Sequence, residues 1–192
     1  PYQTVAEGIS SVQNSKAGIA TKLAFELLVL TATRSGEVRN ASWSEFDLEN
    51  AQWTIPSTRM KAKKTHHIPL SRRALEIIHE AKALGGDSFV FEGVKQGRSL
   101  SDATLSKLVK ELGYDVDVHG FRTSFRTWTQ EQTNFPREIA EAALAHSIKD
   151  KAEAAYARSN LYEKRRMMMD SWANYLTDSR NQIIQLKGIA DG

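Results

Sequence analysis

The spacing of apolar residues early in the chain predicts one buried helix. Between residues 19 and 33 the apolar side chains cover most of a helical circumference; they are Leu23, Phe25, Leu27, Leu28, Val29 and Leu30. Ser35 can cap a second, short helix, with Glu37 near its positive end. Residues 1–18 are polar and weakly patterned, so they predict no element.

The pattern then changes to short segments that are partly β-branched or aromatic. Residues 46–48, 52–55 and 66–70 predict three strands, and Glu49-Asn50 would form the first turn. The second connection, residues 58–65, is longer and carries four basic side chains. A small antiparallel sheet with one basic hairpin is therefore expected.

Helical spacing returns after residue 70. Ser71 is placed to cap a helix that Gly85 and Gly86 end, with an inner side made of Ala74, Leu75, Ile77, Ile78, Ala81 and Leu84. Ser101 opens a further helix that ends at Gly113, with Leu105, Leu108 and Leu112 facing inward. More helices are predicted at about 119–131, 137–145, 150–157 and 161–176, and a polar tail at 178–192. The predicted fold class is mostly α with a small three-stranded antiparallel sheet (α+β).

Composition narrows the functional classes only partly. The net charge of +3 permits nucleic-acid binding without demonstrating it, because many unrelated enzymes share this balance. The absence of cysteine excludes disulfides, thiolate zinc sites and cysteine nucleophiles, and it fits a reducing compartment. No apolar run reaches the roughly 18–20 residues of a membrane span. The chain opens at Pro1 without Met, so we expect a fragment of a longer protein.

Candidate chemistry begins with an imidazole and a guanidinium three residues apart. His119 and Arg122 would share one face of a helix. A phosphate between them would accept hydrogen bonds from the guanidinium of Arg122 and from the titratable imidazole of His119. Taken alone, the pair is better explained as a surface histidine beside an arginine that pairs with a carboxylate. Arg34, at the end of the apolar helix, could be a second phosphate clamp or the partner of Glu37 in a structural ion pair.

His146 and Tyr156 complete the set of candidate groups. Both rings lie among alanines, and small neighbours leave room for a substrate to approach. A buried structural tyrosine with a hydrogen-bonded hydroxyl is the alternative for Tyr156. His66 and His67 are adjacent on a strand and would face opposite sides, so they do not make a metal pair. Each feature is weak by itself.

The order of these groups and the local sequence around them resemble those of the catalytic domain of tyrosine recombinases of the phage integrase family. The resemblance extends from about residue 20 to 176, and it is most similar to integrases of P4-like prophages and genomic islands. Four segments carry it: LTATRSGEVRNASWSEFDL, RMKAKKTHHIPLS, ALAHSIKDKAEAAYAR and MMMDSWANYL.

This resemblance implies a DNA-breaking and rejoining enzyme that needs no metal and no cofactor. Arg34 and Arg122 would hold the non-bridging phosphate oxygens, and His146 would donate a further hydrogen bond to them. Tyr156 would attack the phosphorus and become joined to the 3′-phosphate. By the same resemblance, His119 would be the general base, Lys61 would protonate the leaving 5′-oxygen, and Glu37 would orient Arg34 or His119.

Further basic residues are candidates for DNA contacts. Arg59, Lys63 and Lys64 lie on the predicted hairpin. Lys61 lies on the same hairpin, and the resemblance to the family sequence favours it over its neighbours as the general acid. Thr123 stands where family members often carry a second positive residue after the HxxR pair. Arg126, one turn further on, could contact DNA, and an ordinary surface arginine is as good an interpretation.

The resemblance also predicts partners and organisation. We expect double-stranded attachment-site DNA as the substrate, a monomer when free, a tetramer on DNA, and accessory DNA-bending or directionality factors. The catalytic domain would span residues 1–177 and a tail 178–192, with amino-terminal DNA-binding domains lying outside this sequence. The expected location is the bacterial cytoplasm, at the nucleoid when the protein is active.

Four other classes remain open at this point. A type IB topoisomerase or a telomere-resolving enzyme shares the same constellation of side chains. A catalytically silent relative that only binds DNA is a third possibility, although all six polar positions are filled. A helical interaction domain is the fourth.

Overall fold

The computed structural model of the protein describes residues 1–146 and 161–190, with side chains through residue 181. Within these residues the chain forms eight α-helices: α1 Val5–Gln13, α2 Ile19–Thr31, α3 Ser35–Arg39, α4 Arg72–Ala83, α5 Thr104–Glu111, α6 Gly120–Gln132, α7 Arg137–Ala143 and α8 Tyr162–Ala190. The strands are β1 Phe46–Asp47, β2 Gln52–Ile55 and β3 His66–Pro69. The predicted class, mostly α with a small three-stranded sheet, is confirmed.

Helix α2 lies at the centre of the molecule. It is buried from Leu23 to Thr31 and contacts α1, α3, α4, α5 and α8. Such a helix must be apolar on nearly every side, which is the pattern that predicted it. It ends at Ala32, whose φ of 49° places it in the left-handed region, so the chain turns sharply before Arg34.

The single charge in the buried stretch of α2 ties several elements together. Glu26 accepts hydrogen bonds from Arg73 on α4 at 2.8 and 3.0 Å and from Gln13 on α1 at 2.7 Å. Arg180 on α8 approaches the same carboxylate at 3.8 Å. A carboxylate this deeply buried is tolerated because cations and an amide surround it.

The sheet has the strand order β1-β2-β3, and both pairs are antiparallel. Trp53 faces Phe46 on one side and Ile68 on the other, and its ring is fully buried. Each predicted strand is confirmed to within one residue. The connection from β2 to β3 contains a short 3-10 helix, Ser57–Arg59. Residues 57–65, which include this helix, form the basic hairpin.

Two helix caps were predicted, and the structure supports one of them. Ser71 caps α4, because its hydroxyl accepts from the backbone N–H of Ala74 at 3.4 Å. The prediction for Ser35 was wrong: Arg34 is the cap position of α3 and Ser35 its first helical residue. The carboxylate of Glu37 instead accepts the backbone N–H of Arg34 at 2.8 Å, so an acidic side chain reaches back to cover the exposed donor.

The chain ends differ most from expectation. Residues 1–18 contain α1, whose Val5, Ile9 and Val12 are buried against the core. Helix α8 continues through Ala190, beyond the predicted end at 176. Leu84 is 47% exposed and follows α4, so it does not line the inner side as expected.

Predicted helices at 119–131 and 137–145 correspond to α6 and α7, and the one at 150–157 lies outside the described residues. Within the described part of the chain, we find no helix with the combination of length and apolar character that crossing a bilayer requires.

Candidate active site

Arg122 is the most deeply buried of the predicted site residues that the structure describes. It lies in the first turn of α6, and only 4% of it is exposed. Its Nη1 donates to the carbonyl of Ala32 at the end of α2, and its Nη2 donates to the carbonyl of Leu144 at the end of α7, the second at 2.7 Å. Both acceptors lie at helix C-termini, where the partial negative charge favours a cation.

These carbonyls do not fully satisfy the guanidinium. Among residues 1–146 and 161–190, Arg122 Nε has no hydrogen-bond partner. Burial, and then the positive charge of nearby Arg34, lower the pKa of Arg122 to about 10, while the carboxylate of Glu37 opposes that shift. Arg122 therefore stays charged at neutral pH in surroundings that an incoming anion would stabilise.

Arg34 lies where α2 turns into α3, with 28% of its side chain exposed. Its Nη1 donates to Glu37 Oε1 at 2.8 Å, while its backbone N–H donates to the other oxygen of the same carboxylate at 2.8 Å. Glu37 is itself only 5% exposed. This carboxylate thus fixes both the backbone and the side chain of Arg34 and leaves part of the guanidinium open to solvent.

His146 lies three residues after Ala143, the last residue of α7. Its backbone N–H donates to the carbonyl of Glu141 at 2.9 Å, and that of Ala145 donates to Ala142 at 3.1 Å. Ala145 has a φ of 51°. This pair of bonds around a left-handed residue is a Schellman motif, which reverses the chain at the helix C-terminus. The motif presents the His146 ring towards Arg122.

The His146 ring is held on both nitrogens. Nε2 lies 3.3 Å from Arg122 Nη2, and Nδ1 lies 2.7 Å from Glu141 Oε2. A guanidinium can only donate and an ionised carboxylate can only accept. Nε2 must therefore accept from Arg122, and Nδ1 must carry the proton that is donated to Glu141.

His119 occupies the cap position of α6 and is exposed. Its backbone N–H donates to Asp117 Oδ1 at 3.3 Å. Helix α6 begins one residue later, and His119 itself has helical dihedrals, with a φ of −63° and a ψ of −26°. The imidazole lies in the turn at the surface, while the guanidinium points into the interior.

Lys61 belongs to an open groove of about 690 Å³ that Arg34, Glu37, Asn40 and Arg59 also line. Lys61, Lys63 and Lys64 are all exposed on the basic hairpin. Lys63 has a φ of 54° and marks the tight part of the turn. The structure therefore brings Lys61 and Arg34 to one groove, while the other two lysines extend from the same loop.

Two predicted DNA-contacting arginines are engaged with carboxylates. Arg59 Nη1 lies 2.6 Å from both oxygens of buried Glu45, and its Nη2 donates to the carbonyl of Glu37 at 2.6 Å. Arg126 Nε forms an ion pair with Glu141 Oε1 at 2.9 Å. Arg59 thereby connects the basic hairpin to the end of α3. A phosphate would meet both arginines with part of their charge already balanced.

Tyr156, the predicted nucleophile, lies outside the described residues. Within the described part of the chain, no cluster of three or more His, Asp or Glu side chains is arranged to hold a metal ion. A separate apolar groove of about 530 Å³ is lined by Tyr2, Val12, Phe25, Tyr114 and Phe121, and none of the predicted site residues lines it. The cationic groove is thus the better candidate for binding an anionic substrate.

Sequence reasoning missed three residues around the site. Glu45 also accepts from Trp53 Nε1 at 2.8 Å, and Glu141 holds His146. His66 is buried, with Nε2 3.2 Å from the carbonyl of Ala143, and so links β3 to α7. A carboxylate five residues before a candidate histidine was the only local signal for Glu141, and the other two contacts exist only in the folded chain.

Comparison with known proteins places the chain in a family. The model of the phage integrase family matches residues 3–163. The integrase of Enterobacteria phage P4 is 32% identical, over 97% of this chain and 47% of that protein. Prophage integrase IntA of Escherichia coli K12 is 36% identical, over 85% of this chain and 40% of that protein. The chain thus spans less than half the length of these relatives.

Solved structures show the same fold. An integrase from mycobacterium phage Brujita superposes with a TM-score of 0.64 at 16% identity, over 86% of this chain and 55% of the other. A lambda integrase from a tetramer bound to a Holliday junction gives a TM-score of 0.56 at 21% identity, over 74% of this chain and 45% of the other. The family match covers most of the sequence, and the fold agrees with it, so this chain belongs to the phage integrase family.

Proposed function

We propose that this chain is the catalytic domain of a site-specific tyrosine recombinase that integrates or excises a prophage or genomic island. The observation that carries the proposal is the juxtaposition of buried Arg122 with His146, beside a groove that holds Arg34 and Lys61. Membership of the phage integrase family supports the same activity. We assign the catalytic domain to residues 1–177 and a tail to 178–192.

The chemistry asks for strong charge stabilisation. A phosphodiester is anionic, its alkoxide is a poor leaving group, and the transition state gathers negative charge on the non-bridging oxygens. Arg122 is fixed by two carbonyls and Arg34 by Glu37, so neither guanidinium needs to reorganise when the phosphate arrives.

The remaining steps use protons and one nucleophile. Tyr156 attacks phosphorus in line, a 3′-phosphotyrosine bond forms, and the bond to the 5′-oxygen breaks. His119 accepts the tyrosine proton, Lys61 protonates the leaving 5′-oxygen, and His146 donates a hydrogen bond to a non-bridging oxygen. A 5′-hydroxyl from another strand then attacks the phosphotyrosine, so the strands exchange without a metal ion or an external energy source.

The partners follow from this reaction. The substrate is double-stranded attachment-site DNA, with Lys63, Lys64, Arg59 and Arg126 proposed to face its phosphates. Four copies would assemble on two such sites, whereas the free chain would be monomeric. Accessory DNA-bending or directionality proteins would set the outcome. A recombinase of prophage DNA would act in the bacterial cytoplasm, at the nucleoid.

Covalent trapping tests the proposal. The protein is incubated with nicked duplexes tiled across the ends of the mobile element that encodes it, and a denaturing gel reports any protein–DNA adduct. We expect an adduct that persists in EDTA and is lost in Tyr156→Phe, while DNA binding is retained. An adduct formed by Tyr156→Phe would overturn the nucleophile, and loss of cleavage on chelation with recovery in Mg²⁺ would indicate a metal nuclease.

Two alternatives give different results in the same assay. Relaxation of supercoiled DNA without transfer to a second duplex would indicate a type IB topoisomerase-like enzyme. DNA binding without any adduct from the wild-type chain would indicate a silent DNA-binding relative.

A further inference from the structure

We propose that Glu141 is a positioning residue, which fixes the ring orientation and the tautomer of His146. The inference rests on the proposed function, because it concerns how His146 meets the phosphate. It starts from the fact that Glu141 contacts His146 twice. The Glu141 carbonyl accepts the His146 backbone N–H at 2.9 Å, and its Oε2 lies 2.7 Å from His146 Nδ1.

The double contact removes two degrees of freedom from the histidine. The backbone bond belongs to the Schellman motif and sets where the Cα of His146 lies after α7. The side-chain bond then sets the rotation of the ring, with Nε2 turned to within 3.3 Å of Arg122 Nη2. Nε2 is thereby directed at the position where Arg122 would hold a phosphate oxygen.

The carboxylate also determines which nitrogen carries the proton. Because ionised Glu141 can only accept, the proton of the neutral ring stays on Nδ1, as in catalytic sites where a carboxylate orients a histidine. When Nε2 gives up the bond from Arg122, gains a proton and donates to a phosphate oxygen, the ring is a cation, and the Glu141 carboxylate 2.7 Å away is its counter-charge. Without Glu141, only the longer contact of Nε2 with Arg122 Nη2, at 3.3 Å, still favours a proton on Nδ1, and the ring loses its closest partner.

Two arginines hold Glu141 in turn. Arg126 Nε lies 2.9 Å and Arg137 Nε 3.9 Å from Oε1, while Oε2 remains for His146. The side chain of Glu141 is 15% exposed. Cations thus lie near one oxygen, which makes no hydrogen bond within the described part of the chain, while the other oxygen faces the histidine.

The test compares Glu141→Ala, Glu141→Gln and a control, Glu138→Gln, one turn earlier on the same helix. A glutamine at position 141 can still accept from Nδ1–H, whereas alanine cannot. Glu138→Gln removes the same charge without touching His146. Each variant is checked for thermal unfolding, for the ¹⁵N chemical shifts of the His146 ring, and for the rate of covalent adduct formation on the nicked duplexes.

We expect the wild type, Glu141→Gln and Glu138→Gln to show a ring protonated on Nδ1, and Glu141→Ala to show a mixture of the two tautomers. Adduct formation should fall by roughly 10- to 100-fold in Glu141→Ala, the scale seen when an orienting partner of a site histidine is removed. Glu141→Gln should recover most of that loss, and Glu138→Gln should stay close to wild type.

Other results would overturn the inference. An unchanged tautomer and rate in Glu141→Ala would do so, as would equal defects in Glu141→Ala and Glu141→Gln with both variants folded. If the wild-type chain forms no adduct at all, the proposed function fails instead, while the ¹⁵N spectra still decide whether Glu141 sets the tautomer. The two failures are therefore distinguishable.

Discussion

Arg122 has a structural task, and the proposed function gives it a chemical one as well. Its guanidinium closes the C-termini of α2 and α7 by donating to Ala32 and Leu144, and it also faces His146. The structural bonds hold the charge in place before any substrate arrives, which is the condition for electrostatic stabilisation without reorganisation. A buried cation is costly, and here the cost is offset by helix ends and by Glu37.

The proposed role of Lys61 as the general acid can be tested separately from DNA binding by changing the leaving group of the substrate. If Lys61 protonates the leaving 5′-oxygen, Lys61→Ala should be severely slow on ordinary DNA. It should be close to wild type when a bridging sulfur replaces that oxygen, because a thiolate leaves without a proton. The measurement is the rate of adduct formation on the two substrates.

Controls for this experiment lie on the same loop and in the same groove. Lys63→Ala and Lys64→Ala should weaken binding modestly and show no rescue by sulfur. Arg34→Ala should not be rescued either, because its proposed partner is a non-bridging oxygen. Rescue of Lys63→Ala or Lys64→Ala instead would move the general acid to that lysine.

His66 makes a pH-dependent contribution to stability. Burial first, and then the charges of Arg165, Arg122 and Arg34, lower the pKa of His66 from 6.5 to about 4, although its hydrogen bond to Ala143 opposes the shift. Between these two pH values the unfolded chain therefore binds a proton at His66, whereas the folded chain does not. The stabilisation is present above pH 6.5 and is lost as the pH falls towards 4.

The resulting pH dependence of the free energy of unfolding can be measured. Between pH 7.5 and 5 the His66 equilibrium should remove about 2 kcal/mol from the free energy of unfolding, as determined by urea titration. His66→Gln keeps a donor for the Ala143 carbonyl and cannot titrate, so its stability should fall less over the same interval. Equal pH dependence in both proteins would assign the acid sensitivity to other groups.

At the scale of elements, the helix ends position the site. Arg34 follows the left-handed turn at Ala32, His146 follows the one at Ala145, and His119 caps α6. An alanine with positive φ is strained, because its Cβ approaches the following carbonyl. Glycine would relieve that strain, so these two alanines keep the turns rigid at some cost in stability.

Ala145→Gly tests this interpretation. Glycine adopts a φ of 51° freely, so the free energy of unfolding should rise by up to about 1 kcal/mol, less the greater entropy of the unfolded chain. The matched control is Ala142→Gly, where the same change inside α7 should lower stability by about 0.5–1 kcal/mol. Thermal or urea unfolding measures both, and destabilisation by Ala145→Gly would show that the turn is not strained.

Elements with a strong pattern could be predicted from the sequence, and those without one could not. Helix α2 and the three strands were confirmed. A helix buried on every side requires a nearly continuous apolar sequence, and a strand of a half-buried sheet requires alternating residues, so both patterns can be recognised in the sequence. Helix α1 was missed although Val5, Ile9 and Val12 recur at helical spacing, because the residues between them are small or polar. The continuation of helix α8 past 176 was missed because residues 177–182 carry no apolar side chain to mark it.

At the scale of the whole molecule, the candidate site exists only when distant segments meet. Arg34, Lys61, Arg122 and His146 come from four different parts of the chain. Their identities could be predicted because their order and wording match a known pattern. Glu37 could also be predicted as the partner of Arg34, from their spacing of three residues, whereas Glu141 and the carbonyls of Ala32 and Leu144 are brought near by packing.

The net charge of +3 is too small to hold DNA by itself, so local placement of the cations must matter. We expect weak binding of a short duplex, with an affinity that falls steeply as salt rises, because each neutralised phosphate releases counterions. Lys63→Gln and Lys64→Gln should each reduce the slope of log K against log salt by about 1, as expected for one lost phosphate contact.

The matched control is Lys110→Gln, an equally exposed lysine on α5, away from the basic hairpin. Its slope should equal that of the wild type. Arg126→Gln should change the slope less than the hairpin variants do, because Glu141 already balances part of that charge. Fluorescence anisotropy over a series of salt concentrations gives all the slopes. If Lys110→Gln lowers the slope as much as Lys64→Gln, the duplex is held by diffuse charge and the basic hairpin is not its docking site.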